Sequence, residues 1–173
     1  MRFTTFLQTC FVMIGLVTAA SPTPPGLTYL YTVNITAGQA AVVGTGPRGN
    51  RIVVPIAGGT FAGPKLKGTV LPIGADWELL DSNGNITADV RQTFHTDDGA
   101  NIQVFETGTS QPDGTAHVRL TYETGSSKYY WMNSIVAIGI IRVLDSSHIT
   151  IDTWQPIYRL KKGQGEGRIG LST

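Results

Sequence analysis

Carboxylates set beside aromatic rings are the residues of this chain with the clearest chemical potential. Asp76 precedes Trp77, and Glu123 lies a few residues before Tyr129 and Trp131. Asp89, Arg91, Thr93, His95 and Asn133 add further polar groups on extended segments. Turned inward, such groups would line a pocket with carboxylates and hydrogen-bond donors beside aromatic walls. Turned outward, they would be the solvated face of alternating strands, and the Asp89–Arg91 pair a surface ion pair of little energetic value. Alternation alone does not say which face lines an interior.

Other chemistries lack their residues. No G-x-S-x-G elbow is present. The single cysteine, Cys10, falls within a leader-like segment, so a mature chain would have no thiolate, disulfide or cysteine-ligated metal. His95, His117 and His148 stand alone, without metal-ligand spacing. Gly44-Thr-Gly-Pro-Arg-Gly49 fits G-x-G-x-x-G, but Pro47 and the strand-like Arg51-Ile-Val-Val54 follow where a dinucleotide site needs a helix. Asp81-Ser-Asn-Gly-Asn85 opens like a calcium loop, yet Ile86 and Gln92 occupy its glycine and glutamate places, so it reads as a turn. No cofactor is expected. A net charge of +1 gives no field for nucleic acid or acidic membranes.

These residues are carried on strands. The chain has 173 residues, 41% hydrophobic and 14% charged, with 21 glycines and 9 prolines. That composition describes one compact, turn-rich domain. Period-two alternation marks residues 27–36, 86–95 and 115–124. In the first run Leu27, Tyr29, Tyr31, Val33 and Ile35 share a face; in the second, Ile86, Ala88, Val90 and Phe94 do. Shorter strands are expected at 51–56, 66–71, 77–80 and 102–107, the last paired with 86–95 through Asp97-Asp-Gly99. Residues 129–144 read as one long strand or two bent near Gly139, and 149–160 closes the domain. Eight to ten strands without an amphipathic helix predict an all-β sandwich or closed antiparallel barrel.

Residues 1–20 read as a secretory signal peptide: Met1-Arg2, an apolar stretch at 11–17, then Thr18-Ala-Ala20. The domain is then 21–160, with a Gly-rich tail at 161–173. The sequons at Asn34 and Asn85 agree with a secreted or lumenal glycoprotein. No membrane association is expected after cleavage, and the oligomeric state is open between monomer and homodimer.

Three ordered blocks carry a resemblance. Gly58-Gly-Thr-Phe-Ala-Gly-Pro-Lys-Leu-Lys-Gly-Thr-Val-Leu-Pro-Ile-Gly-Ala-Asp-Trp77 resembles the pattern GG-x-x-x-GP-x-L-x-G-x-V-x-P-GG-ADW of a small β-barrel family of unknown function from bacteria and fungi. Asp89-Val-Arg-Gln-Thr-Phe-His-Thr-Asp-Asp-Gly99 is similar to its D-x-R-x-x-x-x-T-x-DG segment. Glu123-Thr-Gly and Tyr130-Trp-Met-Asn133 resemble its F-E-T-G and Y-x-W-L-N segments. The departures are Ile73 for glycine, Tyr122 for phenylalanine and Met132 for leucine.

The resemblance implies a lipocalin-like closed barrel. Fungal members resemble cyclases of the phenalenone pathway, which perform intramolecular hydroalkoxylation by adding a phenol hydroxyl across a prenyl alkene. That reaction needs a general acid in an apolar pocket and shelter for a cationic transition state. On this basis Asp76 or Glu123 is the acid, Arg91, Asn133 and His95 meet the substrate's polar groups, and Trp77 and Trp131 wall the pocket. Asp98 reads as a turn-fixing residue. The expected partner is a small aromatic or hydrophobic molecule, an aromatic polyketide or meroterpenoid intermediate. Two other functions compete with the cyclase: a carrier of a small hydrophobic ligand, and a packed barrel acting through its surface.

Overall fold

The computed structural model describes residues 21–158. Nine strands run β1 (Gly26–Ala37), β2 (Ala41–Gly46), β3 (Gly49–Ala62), β4 (Lys67–Leu80), β5 (Ile86–Thr96), β6 (Asn101–Ser110), β7 (Ala116–Glu123), β8 (Ala137–Val143) and β9 (His148–Ile157). All pairings are antiparallel, in the order β1-β9-β8-β7-β6-β5-β4-β3, and β1 pairs again with β3 to close the ring. Eight strands thus form a barrel, and β2 pairs with the first part of β3, on the edge that β1 takes further along. Closure leaves the eight strands no free edge. The predicted leader (1–20) and the tail from residue 161 onward lie outside the described residues, as do residues 159–160 of the last predicted strand.

Alternation predicts the inward face of most strands. Ala88, Val90 and Phe94 of β5 and Val118, Leu120 and Tyr122 of β7 are buried. β1 departs from it: Tyr31, Val33 and Ile35 are buried, but Leu27 and Tyr29 are exposed. A bulge between Tyr29 and Tyr31 adds one residue and so reverses the face of everything before it. The two short strands predicted at 66–71 and 77–80 are one strand, β4, broken in register between Val70 and Gly74. β3 likewise runs through Gly58-Gly59, where a short strand is expected to stop.

Residues 129–144 are not one strand. Tyr130–Ser134 forms a 3-10 helix before β8 begins at Ala137. The Asn133 side chain fixes this turn by accepting from the Thr124 amide at 2.8 Å and donating to the Thr124 carbonyl at 2.9 Å. Met132 of this helix is buried in the core cluster with Tyr129, Leu66 and Leu30. Phe61 stacks on Phe94 with centroids 4.2 Å apart, and Tyr31 meets Phe94 edge-on at 5.4 Å. One end of the barrel is therefore filled with side chains. A cavity into the lumen opens at the other end, between the start of β3 and the β8–β9 turn.

Candidate functional site

Register places the polar groups of the lumen. Asp76 on β4 lies opposite Val90 on β5, Val90 opposite Glu106 on β6, and Glu106 opposite Leu120 on β7. One step deeper, Gly74, Gln92, Val104 and Tyr122 form a second row. Since side chains in a row share a face, Asp76, Glu106, Gln92 and Tyr122 all point inward. β1 and β9 contribute Tyr31 and Thr153 from the other side of the barrel, both fully buried.

Gly74 makes the first row work. Its φ of 101° lies in the left-handed region, and a Cβ there would stand 2.1 Å from the Arg91 carbonyl oxygen. Only glycine lets β4 resume pairing with β5 next to Asp76. Gly74→Ala should lower stability by roughly 3 kcal/mol, a fall in Tm of roughly 6–12 °C by thermal denaturation. An unchanged Tm would show that the break in register is not fixed by this residue.

Burial sets the protonation of the two carboxyls. Glu106 is 0% exposed, and desolvation raises its pKa to about 8, with the nearby Asp76 charge pushing the same way. The Gln92 amide donates to Glu106 Oε1, which favours the charged form but does not outweigh burial. Asp76 is raised to about 7, again mainly by desolvation, against the Asp89 amide that donates to Oδ1 at 2.9 Å. Half-buried Glu78 is raised for the same reason. The Tyr31 and Tyr122 hydroxyls bond each other at 2.7 Å, and burial pushes both up. Near neutral pH Glu106 keeps its proton and Asp76 is poised between acid and carboxylate, where a surface would hold two carboxylates.

The site opens through an apolar mouth. A cavity of about 60 Å³ is bounded by Ile35, Val54, Ile56, Val90, Ile141 and Ile151, with Asp76 and Glu78 as its carboxyls. Val143 at its rim is 65% exposed. An apolar molecule entering here passes half-buried Glu78 and then reaches Asp76, in an environment that strengthens a proton donor.

The other sequence candidates lie elsewhere. Glu123 is exposed on the outer face of β7 and lines a groove with Thr93, Gln103, Tyr130 and Asn133. Arg91 is on the outer face of β5, its guanidinium 5.3 Å from the Trp77 ring centroid and 3.2 Å from Asp89. Trp77 therefore walls the outside of β4, not the lumen. His95 is exposed and paired with Asn101 at 2.8 Å. Trp131 packs partly against the core, with Lys65 5.1 Å from its ring. Asp98 binds Thr96, Lys128 and Tyr129 around the β5–β6 turn, in keeping with a turn-fixing residue. Asn34 and Asn85 are both exposed, Asn85 donating to Asp81 at 3.0 Å. Of the predicted site residues only Asp76 reaches the lumen; the structure does not bring it together with Glu123 or Arg91.

Glu106, Gln92, Tyr31 and Thr153 are the lumen residues that sequence reasoning passes over. A signal for Glu106 exists: Phe105-Glu-Thr-Gly108 fits the F-E-T-G string at all four letters, one more than Tyr122-Glu-Thr-Gly125.

Comparison with known proteins agrees with this fold. Residues 25–121 match the family described as protein of unknown function (DUF3237), a span that contains Asp76, Gln92 and Glu106. The chain is 32% identical over 134 residues to a hydroalkoxylation enzyme (phnH) of Penicillium herquei, covering 78% of this chain and 85% of that one. It is 28% identical over 128 residues to a UPF0311 protein of Rhodopseudomonas palustris, covering 64% and 84%. A β-barrel-like protein of Acinetobacter baumannii superposes with a TM-score of 0.73 at 30% identity, over 80% of this chain and 99% of that one. An enzyme from Penicillium herquei superposes with a TM-score of 0.68 at 32% identity, over 80% and 98%. The chain therefore belongs to the DUF3237 family, and it shares its barrel with an enzyme of Penicillium herquei.

Proposed function

We propose that the lumen catalyses a redox-neutral ring closure in which a hydroxyl of an aromatic substrate adds across an alkene of the same molecule. The observation that carries this reading is Asp76: a carboxyl at an apolar mouth, raised to about 7 by burial. In its acid form Asp76 gives a proton to an alkene carbon. A C–H bond forms, the π bond breaks, and the carboxylate left behind faces the carbocation. The aliphatic walls keep out water that would quench the cation. The hydroxyl oxygen then closes the ring, and its proton returns to Asp76. No electrons are consumed, and the product is an isomer of the substrate. Holding the chain folded over the ring, in reach of Asp76, is the barrel's other contribution.

The relative named as a hydroalkoxylation enzyme supports this class of reaction. The substrate class we assign is an aromatic polyketide or meroterpenoid intermediate of secondary metabolism. We further propose export, with glycans on Asn34 and Asn85; the leader-like residues 1–20 and the exposure of both asparagines support it.

The test is to incubate the protein with an ortho-prenyl phenol in D2O. The expected result is a product isomer carrying one non-exchangeable deuterium on carbon. An unreacted substrate overturns ring closure; if the phenol nevertheless binds in the lumen, the barrel is a carrier.

A further inference from the structure

Among the described residues, three fully buried atoms of the lumen have no hydrogen-bond partner: Gln92 Oε1, Glu106 Oε2 and Thr153 Oγ1. Unpaired polar atoms in an apolar wall destabilise a fold, and apolar side chains of similar shape would not. The neighbouring Tyr31 and Tyr122 hydroxyls bond each other, which uses one of their two hydrogens, and neither hydroxyl bonds any of the three atoms. The Gln92 amide is spent on Glu106 Oε1, so its carbonyl is left as an acceptor facing the interior. Beside it stands the second oxygen of Glu106. Both side chains lie just beyond the cavity: Glu106 is the neighbour of Val90, which lines it, in the row that begins at Asp76, and Gln92 is one row deeper.

We propose that Gln92 and Glu106, with Thr153 across the barrel, form a subsite for a neutral hydroxyl group of an aromatic ligand that enters past Asp76. The hydroxyl hydrogen goes to Gln92 Oε1, and its oxygen accepts from the Glu106 carboxyl or the Thr153 hydroxyl. A carboxylate or phenolate cannot take this place: it would face the Gln92 carbonyl without water or a cation. A methyl in place of the hydroxyl has a similar size but leaves all three atoms unpaired. This deepens the ring-closure reading, from which it takes only the premise that an aromatic molecule enters the lumen. Its test therefore measures binding and not turnover.

Phenol and toluene, which differ in that one group, are titrated separately into the 15N-labelled full chain and followed by NMR. Phenol should bind at least about 10-fold tighter than toluene, the ratio expected for one buried hydrogen bond, and shift the amides near Gln92, Glu106 and Thr153. In a Gln92→Met/Glu106→Leu double variant the preference should fall to about 2-fold or less, with Tm unchanged or raised. Thr153→Val replaces a hydroxyl by a methyl without changing size, and should reduce the preference by about 3-fold. Equal binding of the two probes, absence of phenol binding, or a preference undiminished in either variant overturns the subsite. Should the double variant fail to fold, Thr153→Val alone decides. Loss of deuterium incorporation with phenol selectivity intact overturns ring closure and leaves the subsite standing.

Discussion

Asp76→Asn should cut turnover of an ortho-prenyl phenol by about 100- to 10,000-fold while leaving the barrel folded. The replacement has the same shape, and its amide oxygen can still accept from the Asp89 backbone N–H that Asp76 Oδ1 now holds at 2.9 Å. What it lacks is a proton to give to carbon. The loss should fall on kcat, with KM little changed, because the acid acts in the transition state and not in ground-state binding. In the unmodified protein the rate should decline as pH rises above about 7, where Asp76 gives up its proton. Glu123→Gln, on the outer face of β7, should stay within about 2-fold on the same assay, the scale of a change far from the chemistry. Steady-state kinetics on the two variants separates the roles: a drop at Glu123 and none at Asp76 would move the chemistry to the outer groove.

That contrast reflects how the sequence encodes the site. Strands and barrel are readable because burial on one side imposes a period of two, as in Ala88, Val90 and Phe94 or Val118, Leu120 and Tyr122. The reading breaks where one residue is inserted. The bulge at Tyr29/Tyr31 exposes Leu27 and Tyr29, which a strict period assigns to the core. It also breaks at residues 129–144, whose apolar, β-branched character suits a strand. There the Asn133 side chain, bound to the backbone of Thr124, holds a helical turn and brings Met132 in as a plug.

The polar lumen is the hardest part to read. Glu106 and Gln92 sit at core positions of an alternating pattern, and a carboxyl or amide there looks like noise among valines. Conversely, Arg91 and Trp77 attract notice as a charged and aromatic pair, yet they stack on each other outside the barrel. Composition marks which residues have chemistry; only register marks which of them share a face. Asp76 is found because it lies beside Trp77 in a distinctive block, although Trp77 faces the other way.

The buried acids also predict how stability responds to pH. Glu106 in the folded protein holds its proton up to about 8, whereas in the unfolded chain it ionises near 4.5. Asp76 behaves likewise between its ordinary 3.8 and about 7. From about pH 4 to 8 the folded state therefore binds more protons than the unfolded one, and stability must fall as pH rises. The stabilisation is complete below the unfolded values and is spent once pH passes the folded ones. For Glu106 alone the loss is on the order of 4 kcal/mol, a fall in Tm of roughly 10 °C. Exposed groups such as Asp98, held low by Lys128 and Thr96, act in the opposite sense, but only at more acid pH. Glu106→Gln keeps the shape and removes the titration, so between pH 5 and 8.5 its Tm should change far less. It should match the unmodified protein at pH 5 and exceed it at pH 8.5. Calorimetry at the two pH values decides: equal slopes for the two proteins would mean that Glu106 is ionised in the fold, and that the lumen is wetter than its walls imply.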